Sequence, residues 1–171
     1  MTPGTDPQPQ PQPQCHAVQD GTVLTESHLF NLVDIEAAAL SGVVRRPAAP
    51  TGTQLLSVGS GAILAVFASE LEDNKPRVVL EHWSAEPPAT DGIWEAQTQE
   101  RLTVQGGQLS LSSGISGLPA PHRLTLPPGH YHLAVWCRGR AAARAAELDA
   151  IDQDSLLPAL EHWLLRLWPK S

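Results

Sequence analysis

Residues 100–139 read ERLTVQGGQLSLSSGISGLPAPHRLTLPPGHYHLAVWCRG, and this stretch decides the fold class. Leu102, Val104, Leu109 and Leu111 alternate with polar residues around Gly106-Gly107. Such alternation predicts strands with one buried face, and Gly-Gly suits a primed two-residue turn because both central positions need φ > 0. In that register Val104 lies opposite Leu109 and Leu102 opposite Leu111. Leu124 and Leu126 then lead into Pro128-Gly129, a dipeptide suited to the centre of a type II turn. Tyr131, Leu133, Val135 and Cys137 carry the apolar phase onward. The expectation is two consecutive β-hairpins in an antiparallel sheet with one wet face.

Outward from this centre the same grammar continues. Residues 29–33 (LFNLV) read as a first strand, and 34–40 (DIEAAAL) as a short helix ended by Gly42. Residues 55–58 and 62–67 are apolar strands divided by Gly59-Ser60-Gly61; the unbroken ILAVF suggests a strand covered on both faces. Residues 77–83 (RVVLEHW) form another strand, followed by a loop holding Pro87, Pro88, Asp91 and Gly92. In the C-terminal part, 140–150 is an alanine-rich helix. From 155 onward the residues fit either an amphipathic helix or an alternating strand stopped by Pro169, and a turn of helix followed by a closing strand is the expectation. Short strands with frequent turn signals indicate a mainly β chain, an antiparallel β-sandwich with one or two short helices. Residues 1–20, where Pro and Gln alternate, are expected to be a disordered tail, and 21–171 the sandwich domain.

The chain has 171 residues, enough for one domain that buries roughly two thirds of its unfolded surface. Eighteen acidic residues against eleven basic ones give a formal charge of −7. Phosphate ligands need clustered cations, so neither nucleic acid nor an anionic membrane is an expected partner, whereas a basic protein is. Two cysteines, one in the tail and one in a strand, point to reduced thiols. With no basic-then-apolar leader and no long apolar run, a cytoplasmic location is expected.

Chemistry-bearing constellations are sparse. Cys137 sits mid-strand on the inward phase, which makes it packing rather than a nucleophile. His130 and His132 share a strand face, yet His122 falls too far along the partner strand to complete a compact zinc site. Asp149, Asp152 and Asp154 lack the glycine and the terminal Glu of a calcium loop. No glycine loop has the Lys that cradles phosphate. No cofactor, no metal and no catalysis are therefore expected. Glu81 and Trp83 share a face at period two. Burying an unpaired Glu costs several kcal/mol, so either that face is open and Trp83 is available to a partner, or the C-terminal segment covers Trp83 with Glu81 at the margin.

The wording RLTLPPGHYHLAVWCRG, preceded by ERLTVQGGQLSLSSG, resembles the competence protein ComJ family of nuclease inhibitors and its looser immunity-like relatives. The matching positions are Leu124, Leu126, Pro127, Gly129, Tyr131, Leu133, Trp136 and Cys137, with a weaker likeness through 52–67 and 28–34. The segment LEHWLLRLWP and the arginines of 138–144 depart from the pattern. The resemblance implies a β-sandwich that binds a nuclease or other toxic enzyme and blocks it by occlusion. Residue type and location then select Glu81, Trp83, Glu86, Asp91, Trp94 and Glu95 as contact candidates. Two other functions stay open. One is a small-ligand or carbohydrate module stacking on Trp83, Trp94 or Trp136. The other is a metal-dependent enzyme using His130 and His132.

Overall fold

The computed structural model describes residues 12–41, 44–149 and 160–170, and it is a two-sheet sandwich. The elements are β1 (Cys15–Thr22), β2 (Leu29–Asp34), α1 (Ile35–Ser41), β3 (Leu56–Val58), β4 (Ile63–Ala68), β5 (Arg77–Trp83), β6 (Ala96–Val104), β7 (Gln108–Ser113), β8 (Pro119–Thr125), β9 (Gly129–Arg138), α2 (Arg140–Asp149) and β10 (His162–Pro169). One sheet runs β1-β5-β10-β9-β6, the other β3-β4-β2-β7-β8. The fold is mainly β with two short helices, as the alternation indicates. No helix among the described residues is long and apolar enough to cross a membrane.

The inward phase of each strand builds the core. Leu102, Val104, Leu109, Leu111, Leu124, Leu126, Tyr131, Leu133, Val135 and Cys137 all belong to one buried cluster. At its centre Phe30 stacks on Phe67 with ring centroids 4.7 Å apart, and the Trp163 indole meets Phe30 edge-on at 5.2 Å. Edge-to-face and offset contacts of this kind add to what area burial alone supplies. β4 is buried on both faces apart from its last residue, which accounts for its continuous apolar run.

Neither expected hairpin forms. β6 pairs with β9 and β7 pairs with β2 and β8, so Gly106-Gly107 carries the chain from one sheet to the other. Pro128-Gly129 does the same between β8 and β9, and Gly129 at φ 158° is far from the roughly +80° of a type II turn. Val104 and Leu109 therefore face each other across the core instead of standing side by side. Asp34 fixes the first corner. Its fully buried carboxylate accepts the Gln105 amide at 2.9 Å, the Gly106 amide at 2.7 Å and the Ala37 amide at 3.2 Å. A Cβ on Gly106 would overlap Asp34 and Glu36. The second corner packs on the first through Leu126 N donating to Gly107 O at 2.9 Å.

Three further departures follow from tertiary pairing. β1 begins at Cys15, so ordered sandwich takes in residues that composition assigns to the tail; residues 1–11 lie outside the described part. β10 is not an edge strand: it sits at the middle of its sheet, antiparallel to β9 but parallel to β5. The helical alternative for 155–159 lies outside the described residues. Finally, His122 faces the core at 1% exposure and its Nε2 lies 2.8 Å from Val78 O, tying β8 to β5 where the two sheets approach.

Candidate functional site

The outer face of the β1-β5-β10-β9-β6 sheet carries three of the five tryptophans. Period-two geometry turns Glu81 and Trp83 of β5, Arg166 and Trp168 of β10, and His132, Ala134 and Trp136 of β9 to this side. The parallel register sets Glu81 beside Arg166, and the antiparallel one sets Arg166 beside Ala134. The small Ala134 leaves room for the long guanidinium. Arg166 lies between two indoles, 5.4 Å from the Trp83 ring and 5.5 Å from the Trp136 ring. Its Nε donates to Glu81 Oε2 at 2.8 Å, and Trp83 Nε1 donates to the same oxygen at 2.7 Å. Of the two open alternatives, the second is nearer: Arg166 of the C-terminal segment covers the Trp83 indole in part, and it also compensates the Glu81 carboxylate, which the sequence did not show. On the same face Trp136 Nε1 donates to Gln97 Oε1 at 3.1 Å, and Trp168 stacks on His132 at 5.3 Å.

Residues 84–95 rise from this face as a loop fastened at several points. Arg166 Nη1 donates to Pro88 O at 2.8 Å. The Arg138 guanidinium lies 5.1 Å from the Trp94 ring centroid. Gly92, at φ 98°, turns the chain in the left-handed region next to that guanidinium. Glu95 N donates to Cys137 O at 3.0 Å, and the Glu95 carboxylate accepts Gly139 N at 2.7 Å and Ala141 N at 3.2 Å. An anionic acceptor at the start of α2 satisfies amides that have no partner inside the helix.

Between these fastenings the tip is free. Glu86 and Asp91 are exposed, and Ile93 is 88% exposed. The loop holds three carboxylates and no Lys or Arg. The six candidate residues therefore lie in one region with different roles. Glu81 and Trp83 anchor the floor, Trp94 and Glu95 anchor the loop, and Glu86 and Asp91 project from it. Sequence reasoning did not single out Arg166 or Ile93, and it noted Arg138 only within the arginine patch of 138–144, not against Trp94. A lone exposed isoleucine beside Asp-Gly carries a local signal, but the arginines reach the loop only through strand pairing.

Elsewhere the candidate groups stay apart. His130 is exposed, His132 lies under Trp168, and His122 is buried in the other sheet; no group of three His, Cys, Asp or Glu among the described residues is placed to hold a metal ion. The Cys137 thiol is buried and burial drives its pKa upward, away from thiolate chemistry. Both cysteines are free.

No protein family matches the chain by sequence, and no curated protein is significantly similar to it. Similarity is found in solved structures. The fold is similar to the crystal structure of ComJ, inhibitor of the DNA degrading activity of NucA, from Bacillus subtilis. That match has a TM-score of 0.58 at 13% identity over 94% of this chain and 100% of ComJ. The protein described as crocagin biosynthetic gene J is similar with a TM-score of 0.51 at 13% identity, over 91% of this chain and 99% of its own.

Proposed function

We propose that the chain is a protein-binding inhibitor, of the nuclease-inhibitor or immunity type, which blocks a nuclease or other toxic enzyme by occupying its cleft. The observation that carries this reading is the fastened acidic loop 84–95, on a fold it shares with a nuclease inhibitor over the whole length of that protein. A cleft that handles nucleic acid is lined by cations. A loop offering Glu86 and Asp91 with no cation among its residues meets such a surface with complementary charge, which speeds association and excludes acidic competitors. The exposed Ile93 supplies the apolar anchor that charge alone does not. Because the contacts from Arg166, Arg138 and Glu95 hold the loop before binding, little conformational entropy is lost in the complex.

The carbohydrate-module alternative needs open indole faces. All five tryptophans are engaged: Trp83 and Trp136 flank Arg166, Trp94 lies against Arg138, Trp168 stacks on His132, and Trp163 is in the core. Stacking a sugar on Trp83 or Trp136 would first have to displace a guanidinium that is also paired with Glu81.

Titrating the purified chain into non-specific deoxyribonucleases, including any encoded beside its gene, and following plasmid degradation tests the reading. One of these enzymes is expected to be silenced at equimolar inhibitor, with affinity falling as salt rises. Full nuclease activity throughout the series, at low salt and with the chain in excess, would sink it.

A further inference from the structure

A cavity of about 630 Å³ opens on the outer face of the β3-β4-β2-β7-β8 sheet, remote in sequence from loop 84–95. This volume lies within the roughly 300–1,000 Å³ range of small-molecule sites. Val33, Ile35 and Ile63 give it an aliphatic floor. Ser110, Ser112 and Asn31 also line it; although they point away from the core, they are only 3%, 6% and 3% exposed. Arg46 and Arg123 also line it, and no Asp or Glu among the described residues does. In a chain with a formal charge of −7, this is a local reversal of sign.

We propose that this cavity binds a small organic anion: an apolar body that carries one carboxylate. Among the described residues, neither guanidinium is paired with a carboxylate. Arg123 spends Nη1 on the Ser110 hydroxyl and on the Ala120 and His122 carbonyls at 2.8 Å, which fixes its plane. Its Nε and Nη2 have no hydrogen-bond partner among the described residues, and no described carboxylate pairs with it. Arg46 likewise has no ion pair among the described residues. A fixed guanidinium with two free donors suits the paired oxygens of a carboxylate. Asn31 stands in the same wall. Its amide donates to Ser113 O at 2.8 Å and Gly114 O at 3.1 Å, while its buried Oδ1 has no partner.

Octanoate and 1-octanol, titrated separately into the ¹⁵N-labelled chain and followed by amide chemical shifts, separate the possibilities. Saturable octanoate shifts confined to 31–35, 44–46, 63 and 110–123 are expected, with 1-octanol weaker by roughly tenfold for want of the charge. Arg123→Gln and Arg46→Gln should each weaken octanoate severalfold and leave 1-octanol unchanged. Arg46 is exposed and makes no hydrogen bond or ion pair among the described residues, so its variant keeps the test valid if the Arg123 variant unfolds. Equal binding of the two probes, shifts centred elsewhere, or no saturation at millimolar octanoate would overturn the proposal.

Discussion

Arg166 shows how one side chain converts a buried liability into a platform. Its own side chain is 11% exposed and that of Glu81 14%, so the pair stands largely out of water, where charges attract strongly but must be matched. Arg166→Met would leave Glu81 without its counter-charge, held only by the Trp83 Nε1 hydrogen bond. An unfolding free energy lower by about 2–4 kcal/mol is expected in urea titration, near the value for breaking a mostly buried ion pair. Glu81→Gln combined with Arg166→Met should recover most of that loss, because the stranded charge is then gone, and additive losses in the double variant would disprove the coupling. His122 is the opposite case, a titratable group held neutral. Burial lowers its pKa, its Nε2 faces Val78 O, and its Nδ1 is buried with no partner to receive a second proton's hydrogen bond. A depressed histidine pKa means the folded state binds fewer protons than the unfolded one. Its stabilising contribution is therefore complete above the unfolded value near 6.5 and declines as pH falls below it. Melting temperature should drop as buffer is taken from pH 7.5 towards 5, and His122→Gln should flatten that slope.

Alternation identified nearly every core-facing residue of β6 to β9, yet it assigned their neighbours wrongly. A hairpin and a crossing between sheets place the same side chains in the same apolar layer, so period two cannot tell them apart. The distinction lies in the corner chemistry. Asp34, some seventy residues earlier, collects the amides of Gln105 and Gly106, and this long-range bond has no local signature. The same reason hid the place of β10: its apolar residues announce a strand, whereas parallel pairing with β5 and a central position are decided by its partners. In the candidate site, Trp83 and Glu81 were legible as a pair because both lie in one strand. Arg166 was not, since it meets them only through that parallel register. Gly106→Ala tests the corner. The added methyl would press into Asp34 and the first turn of α1, and a cost of about 3 kcal/mol, at the upper end for overpacking, is expected from denaturant unfolding. Asp34→Ala should be comparably damaging, because it strands three backbone donors that one carboxylate now serves.

At the scale of the whole molecule the two outer faces are differently equipped, and the sandwich keeps them independent. Indoles flanking Arg166 and a clamped acidic loop mark one face, while an aliphatic recess with two guanidiniums that have no ion pair among the described residues marks the other. The inhibitor reading makes a prediction that separates steering from anchoring on the first face. Glu86 and Asp91 are exposed and make no hydrogen bond or ion pair among the described residues, so reversing both to lysine should spare the fold. Against a basic enzyme the double reversal should slow association by roughly tenfold at low salt, with the deficit shrinking as the Debye length shortens, because rim charges act mainly through encounter. Ile93→Ser should behave otherwise. Removing a buried aliphatic contact costs about 1–2 kcal/mol and appears in the dissociation rate, with little dependence on salt. Glu95→Gln serves as the internal contrast: its carboxylate already serves the amides at the start of α2, so it should lower stability while changing association less than the reversals do. Stopped-flow association and surface-plasmon dissociation on the same four proteins read both rates. If reversal at Glu86 and Asp91 leaves association unchanged at low salt, the acidic loop is not the surface that meets the enzyme, and the interface must lie on another face.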